Sequence, residues 1–415
     1  MRARRAVDGM PFDVPRHAPP RWLILAAVVA IGLNLRPFLT AVGPLAATIR
    51  AGTGLDYEGM AWLTLLPMLL MGAGAFAAPA IRHRLGARRA VLAALAMLCA
   101  GSALRALAMD GAFLVATAAL CGLGVAVVQA AYPGIIKQEF PRRVAPVMGV
   151  YSAALMGGGA LGAQLAPLIA DLSGSWQQSL AWWALPAAAA LGLAWRALPA
   201  AAAALPAARA VHRPASQLLR RRRTWMLMAC FGAMNGGYAS LVAWLAPFYQ
   251  QHGWSVARSG SLVAVMAVAQ AAAALLLPTL AASRQDRRAW MAAALAMQAA
   301  GFAGLALWPE WSPYAWAAIG GAGLGGCFAL YLVVALDHLP DPDGAGALSA
   351  LMQGGGFLLA SLAPWITAAL HSHTGDFAAG WRYHLGCVAF VAALTMRLDP
   401  ARYARSMAGV AARPA

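Results

Sequence analysis

Asn34-Leu35-Arg36-Pro37 lies inside an apolar run that extends from Trp22 to Ile49. At ~1.5 Å per helical residue, Arg36 falls ~20 Å along a helix that starts at Trp22. A run of this length spans a bilayer, so the stretch sets a permanent cation deep in hydrocarbon. An ionisable residue there is costly, and its default role is functional once a partner can be named. Pro37 and Pro44 each remove a backbone donor and kink the helix. Such irregular backbone is tolerated at membrane depth where it faces protein or a water-filled cavity. The stretch therefore predicts a kinked, cavity-lining first helix with Arg36 and Asn34 turned toward a solute. The competing reading is an arginine bound to freed carbonyls or to a neighbouring helix.

The rest of the chain matches that beginning. Of its 415 residues 61% are hydrophobic and 11% charged, and the mean hydropathy is +0.65. Soluble domains carry about 25% charged residues. Twelve apolar runs are expected to cross the membrane: 22–49, 58–81, 90–109, 112–136, 144–170, 179–199, 224–250, 256–281, 288–308, 314–336, 345–370 and 379–397. The expected fold is all-α and polytopic, because a barrel needs short alternating strands and the chain has none. A net charge of +17 raises nucleic acid as a partner, but the 30 arginines and single Lys137 cluster in alternate loops. That is the topology signal of a bacterial inner-membrane protein in its lipid bilayer. With the N-terminus in the cytoplasm, 26 of the 31 basic residues fall inside. Arg50, Arg105, Arg258 and Arg382 fall outside, and Arg36 lies within the membrane. Both termini are then cytoplasmic. Residues 1–21 form a tail, 22–199 and 224–397 two six-helix halves, 200–223 a cytoplasmic linker and 398–415 a second tail. No cleavable signal peptide is apparent, so the first helix is expected to stay in the mature protein.

The halves repeat. A shift of 197 residues lays Gly149 on Gly346, Gly157-Gly158-Gly159 on Gly354-Gly355-Gly356, and Leu165-Ala166-Pro167 on Leu362-Ala363-Pro364. Small residues let helix backbones approach closely in lipid, so both triplets are read as helix-contact or gating surfaces.

No acid is placed to neutralise Arg36. The 14 Asp and Glu lie at span ends, in loops or in the N-terminal tail. A buried guanidinium without an internal anion points to a solute that brings negative charge or a strong acceptor. Polar candidates at mid-depth are Gln129, Tyr132, Tyr238, Tyr331 and Gln353, each with interhelical hydrogen bonding as the alternative. Trp244 is read either as a cap on a planar solute or as an interfacial anchor. Pro37, the glycine triplets and the basic loop with Arg84, Gly86 and Arg88 are the gating and packing candidates; simple charge anchoring also accounts for the loop. His371-Ser372-His373, expected in an outside loop, is too sparse for a metal site. Gly320–Gly326 lacks the ending of a phosphate loop. The five cysteines show neither metal spacing nor a disulfide framework. No cofactor is expected.

Asn34-Leu35-Arg36-Pro37 with Val42-Gly43-Pro44 resembles the first-helix signature of the cyanate permease and 2-nitroimidazole transporter family within the major facilitators. Leu65-Leu66-Pro67, the stretch from Tyr238 through Trp244-Leu245 and Pro247, Gly253-Trp254-Ser255, and Leu348 to Gln353 with the following glycines are similar to that family as well. The likeness runs from about residue 22 to 397. Gln129 stands where the family has Asn in its fourth helix, and His83 where major facilitators have an acid in the basic loop. The resemblance implies a monomeric major facilitator fold of twelve helices in two halves. It implies alternating access around a midplane site that takes a small anion or a nitro-heterocycle, not an enzyme. The first, fourth, seventh and tenth spans usually line that site. The alternative is a membrane sensor or membrane enzyme on the same scaffold.

Overall fold

The computed structural model describes residues 20–140, 144–198, 215–281, 284–339 and 342–407. Most of the two expected tails and of the linker lies outside these residues. Every regular element among them is helical. The first span is split into Arg21–Asn34, Pro37–Thr40 and Ala46–Thr53. The next four are Tyr57–Leu85, Ala87–Leu104 with a tight turn Arg105–Leu107, Gly111–Glu139 and Val144–Ser173. The sixth is Trp176–Ala181 followed by Ala184–Ala197. The second half comprises Arg222–Gln251, Val256–Ala281, Arg288–Leu307, Pro313–Asp337, Pro342–Thr374 and Ala378–Thr395. Among the described residues ten helices are long and apolar enough to cross a membrane unaided. The sixth is interrupted at Trp182-Trp183, and the twelfth has only 18 residues.

The ends of the helices are local decisions. Asp110 caps the fourth span by accepting from the Phe113 amide at 2.8 Å, and Ser175 caps the start of the sixth by accepting from Gln178 at 3.3 Å. Gly54 and Gly86 turn the chain with φ of +72° and +75°, a region that glycine, lacking a Cβ, enters at little cost.

Packing repeats with the sequence. Within the first half the first span packs on the fifth, the second on the fourth, and the third on the fourth and sixth. The same pattern, advanced by six, pairs seven with eleven, eight with ten, and nine with ten and twelve. Across the halves the second span meets the eleventh and the fifth meets the eighth. The first and seventh spans lie between those two seams and touch at Gly43, where an added Cβ would sit 2.6 Å from the Val242 carbonyl oxygen. Arg36 is therefore carried to the boundary between two parallel repeats.

Three expectations need correction here. The first span is discontinuous rather than kinked, because Pro37 and the turn at 41–45 interrupt its hydrogen-bond ladder twice. The eleventh helix runs on through Thr374, so His371-Ser372-His373 belongs to its last turns and is not a loop. Arg105 does not extend into an outer loop; its side chain is folded inward and is 1% exposed.

Candidate functional site

Arg36 sits at the break itself. It precedes Pro37 at the start of the short second segment, and its carbonyl accepts from the Leu39 and Thr40 amides at 3.0 and 3.2 Å. The side chain is 5% exposed, and its Nε has no hydrogen-bond partner. The guanidinium lies 4.7 Å from the centre of the Tyr238 ring, which belongs to the seventh span and so to the other half. A cation over an aromatic face is worth about 2 kcal/mol when desolvated, too little to offset the burial of a full charge. Among the described residues the ion pairs are Arg287–Asp337, Arg288–Asp286 and Arg402–Asp399. Neither Arg36 nor Arg105 has a carboxylate there.

The fifth span forms the seat of the break. Gly158 faces the Leu33 backbone so closely that a Cβ would overlap its carbonyl oxygen and come within 2.6 Å of its carbonyl carbon. A Cβ on Gly159 would meet Arg36 Cβ at 3.4 Å, and one on Gly162 would meet Pro37 Cα at 2.7 Å. Gly157 has room, with Leu33 Cδ2 at 3.8 Å. The repeat triplet does the same under the seventh span: Gly355 packs on Met228 and Gly356 on Phe231 and Gly232. Gly354 crosses the seam to Ala75 and Phe76 of the second span.

The structure brings Arg36 and Tyr238 together and gives several other candidates different surroundings. The Asn34 amide donates to Ala30 O at 2.8 Å and to Pro186 O at 3.2 Å, so it ties the first span to the sixth and does not face the seam. The Tyr331 hydroxyl pairs with Thr395 Oγ1 of the twelfth span at 2.7 Å and is fully buried inside the second half. Trp244 is not exposed as an interfacial anchor would be. It is 1% exposed, donates to the Pro364 carbonyl at 2.8 Å and so pins the seventh span to the eleventh. Gln129 is half-buried on the fourth span. Gln353, also half-buried, donates to the Ser349 carbonyl of its own helix at 3.4 Å. The side chains of Tyr132 and Arg84 lie outside what the structure describes. Arg88 donates to Trp195 O at 2.7 Å inside the first half.

Two residues near the break did not stand out in the sequence. Tyr151, buried on the fifth span, is close enough to Arg36 to interact with its charge. Its position seven residues before Gly158 places both on one helix face, which is the signal that identifies it. Arg105 donates through Nη1 to the Phe38 carbonyl at 2.9 Å, two residues beyond Arg36.

On the face opposite the first and last helix ends, the halves are latched. The Arg50 guanidinium lies 3.8 Å from the Tyr57 ring centre. Tyr57 packs on His371 at 4.3 Å, Phe377 at 5.6 Å and Trp244 at 5.9 Å between ring centres. Gln251 Nε2 donates to the Tyr57 hydroxyl at 3.2 Å, and Gln250 Nε2 donates to the Pro44 carbonyl at 2.8 Å. A hollow of about 200 Å³ remains between Ala46, Arg50, Tyr57, Gln250 and Gln251.

A charged break held between two pseudo-equivalent helical bundles, closed on one face by side chains from both, is the construction of a membrane carrier. The chain belongs to the Major Facilitator Superfamily, whose family model matches residues 23–364. It is 43% identical over 383 residues to the cyanate transport protein CynX of Escherichia coli, an alignment covering 92% of this chain and 98% of that one. It is 30% identical to the 2-nitroimidazole transporter of the same organism, over 86% of this chain and 90% of that one. Among solved structures, the D-xylose-proton symporter matches with a TM-score of 0.74 at 14% identity, over 91% of this chain and 97% of that one. A nucleoside transporter, NupG, matches with a TM-score of 0.71 at 12% identity, over 90% and 99%. At those identities the structural matches speak for the fold alone. The chain is a polytopic membrane transporter of small solutes and not an enzyme.

Proposed function

We propose that this chain carries a small anion of the cyanate class across the bacterial inner membrane by alternating access, with Arg36 as the fixed positive charge of the central site. One observation carries the reading: Arg36 is buried at a helix break, faces the other half across Tyr238, and has no carboxylate among the described residues. The desolvated guanidinium is offset by an arriving anion, which a planar fork of donors receives well. Tyr238 supplies a wall from the second half, and the half-buried Gln129 belongs to the fourth span, one of those that usually line such sites. The 43% identity to a cyanate transport protein supports the same class. A nitro-heterocycle is the second reading, favoured by the Tyr238 ring beside the guanidinium and by the 30% identical relative. The arginine bias of the loops supports cytoplasmic termini, which makes the packing of Tyr57 on Trp244, His371 and Phe377 an outer gate in its closed position.

The test is uptake of labelled cyanate and of 2-nitroimidazole into proteoliposomes. Saturable cyanate uptake that disappears in Arg36→Ala and is partly restored in Arg36→Lys supports the role of Arg36. Unchanged transport by Arg36→Ala removes it.

A further inference from the structure

We propose that Arg105 is a positioning residue for the central site: its guanidinium tethers the broken segment that carries Arg36 and adds a second fixed positive charge to that segment. The inference rests on the reading of Arg36 as the anion-binding group.

The need for a tether follows from the backbone. In the short helix Pro37–Thr40, Ala41 donates to the Pro37 carbonyl at 2.9 Å. The next bond of the ladder would run from Val42 to Phe38, but Val42 donates to Leu39 instead, at 3.3 Å. The break thus leaves the Phe38 carbonyl without its helical donor, and a buried carbonyl left bare is costly. Arg105 Nη1 fills that place from the third span at 2.9 Å, and its guanidinium lies 5.9 Å from the Phe38 ring centre. The turn that presents it is held in its own right, since Gln177 of the sixth span donates to Ala108 O at 3.4 Å.

The charge is not spent on this bond. Nε and Nη2 of Arg105 are buried and have no hydrogen-bond partner. Cys121, whose thiol bonds to Ser102, lies near the guanidinium as a neutral group and brings no balancing charge. No carboxylate pairs with it among the described residues. A second unneutralised cation is therefore bonded to the broken segment at Phe38, two residues beyond Arg36. In a low-dielectric interior such charges act over longer distances than in water, so Arg105 favours an anion at the break and disfavours a cation.

The experiment uses the full chain in nanodiscs and proteoliposomes. Backbone amide exchange over 37–46 needs no solute: Arg105→Met is expected to speed it, while the second-half spans keep wild-type protection. Unchanged exchange in that variant overturns the tether. For the charge, KM for cyanate is expected to rise about tenfold in Arg105→Gln with kcat held within about twofold, the size of one charge-assisted interaction. Arg105→Lys, which keeps charge and a donor, is expected to restore most of it. Should Arg105→Met not fold, exchange over 37–46 is compared between Arg105→Gln, whose side chain is too short to reach the Phe38 carbonyl, and Arg105→Lys, which keeps a longer donor; equal exchange in the two overturns the tether. A wild-type KM in Arg105→Gln, where Arg36→Ala abolishes saturable uptake, overturns the role of Arg105 alone. Wild-type uptake by Arg36→Ala defeats the central-site reading instead and leaves the tether to the exchange result.

Discussion

Two adjacent glycines of the fifth span give the sharpest test of how the site is held. Gly158→Ala places a methyl group against the Leu33 backbone, overlapping its carbonyl oxygen and lying 2.6 Å from its carbonyl carbon and 2.8 Å from its Cα. Ordinary carbon–carbon contact is ~3.5–4.0 Å, so the shortfall is about 1 Å. All three atoms are backbone, and no rotamer change relieves the overlap. The first span must move away, and Arg36 three residues later moves with it. Overpacking of this kind costs about 1–3 kcal/mol. Gly157→Ala is the control: its methyl meets only Leu33 Cδ2 at 3.8 Å, and alanine is the better helix former by about 1 kcal/mol. The assay pairs thermal unfolding in detergent with cyanate uptake. Gly158→Ala is expected to lower the melting temperature and raise KM at least tenfold, while Gly157→Ala leaves both at or above wild type. If the two variants behave alike, the seat under Leu33 does not set the position of Arg36.

Other perturbations separate the remaining elements. Tyr57→Ala removes the ring that meets His371, Phe377 and Trp244, so a cysteine placed at the buried Ala46 is expected to react faster with an impermeant maleimide added outside; an unchanged rate argues against the latch. His338, just beyond the tenth span, stacks on Tyr403 at 3.9 Å, and burial pushes its pKa down from 6.5 to about 4. The folded chain therefore refuses a proton that the unfolded chain accepts, so stability present above about pH 6.5 is lost as pH falls toward about 4. The melting temperature is expected to drop over that window and to drop less in His338→Asn; equal slopes rule His338 out as the cause.

Much of the architecture could be read from the chain because membrane helices announce themselves one at a time. The apolar runs, the arginine bias and the offset of 197 residues each report on a separate level, and they agree. What local pattern could not supply was the direction in which a polar side chain turns. Asn34 stands near Arg36 in sequence, yet its amide reaches the Pro186 carbonyl of the sixth span, 152 residues away. Tyr331 belongs to a span that usually faces the cavity, but its hydroxyl is claimed by Thr395 on the far side. Trp244 has an indole N–H that must be satisfied when buried, and its acceptor, the Pro364 carbonyl, lies on another span 120 residues away. Arg105 lies inside the run 90–109, four residues before its end, where a long side chain ordinarily snorkels outward. It turns inward because an orphaned carbonyl from another helix waits there, a fact that exists only once the first span is known to be broken.

The two glycine triplets also bear on how such a chain can change over evolutionary time. One ancestral cradle has been kept twice, but what rests in it differs: a severed, charged segment in the first half and the unbroken helix Arg222–Gln251 in the second. On the proposed reading of Arg36, duplication left one copy free to become the recognition element while the other stayed an unbroken helix. Mutational drift in the first cradle should then retune which solute is carried, whereas drift in the second should alter how firmly the carrier shuts. Selectivity and motion are thereby written in separate copies of the same text, and each can be revised without erasing the other.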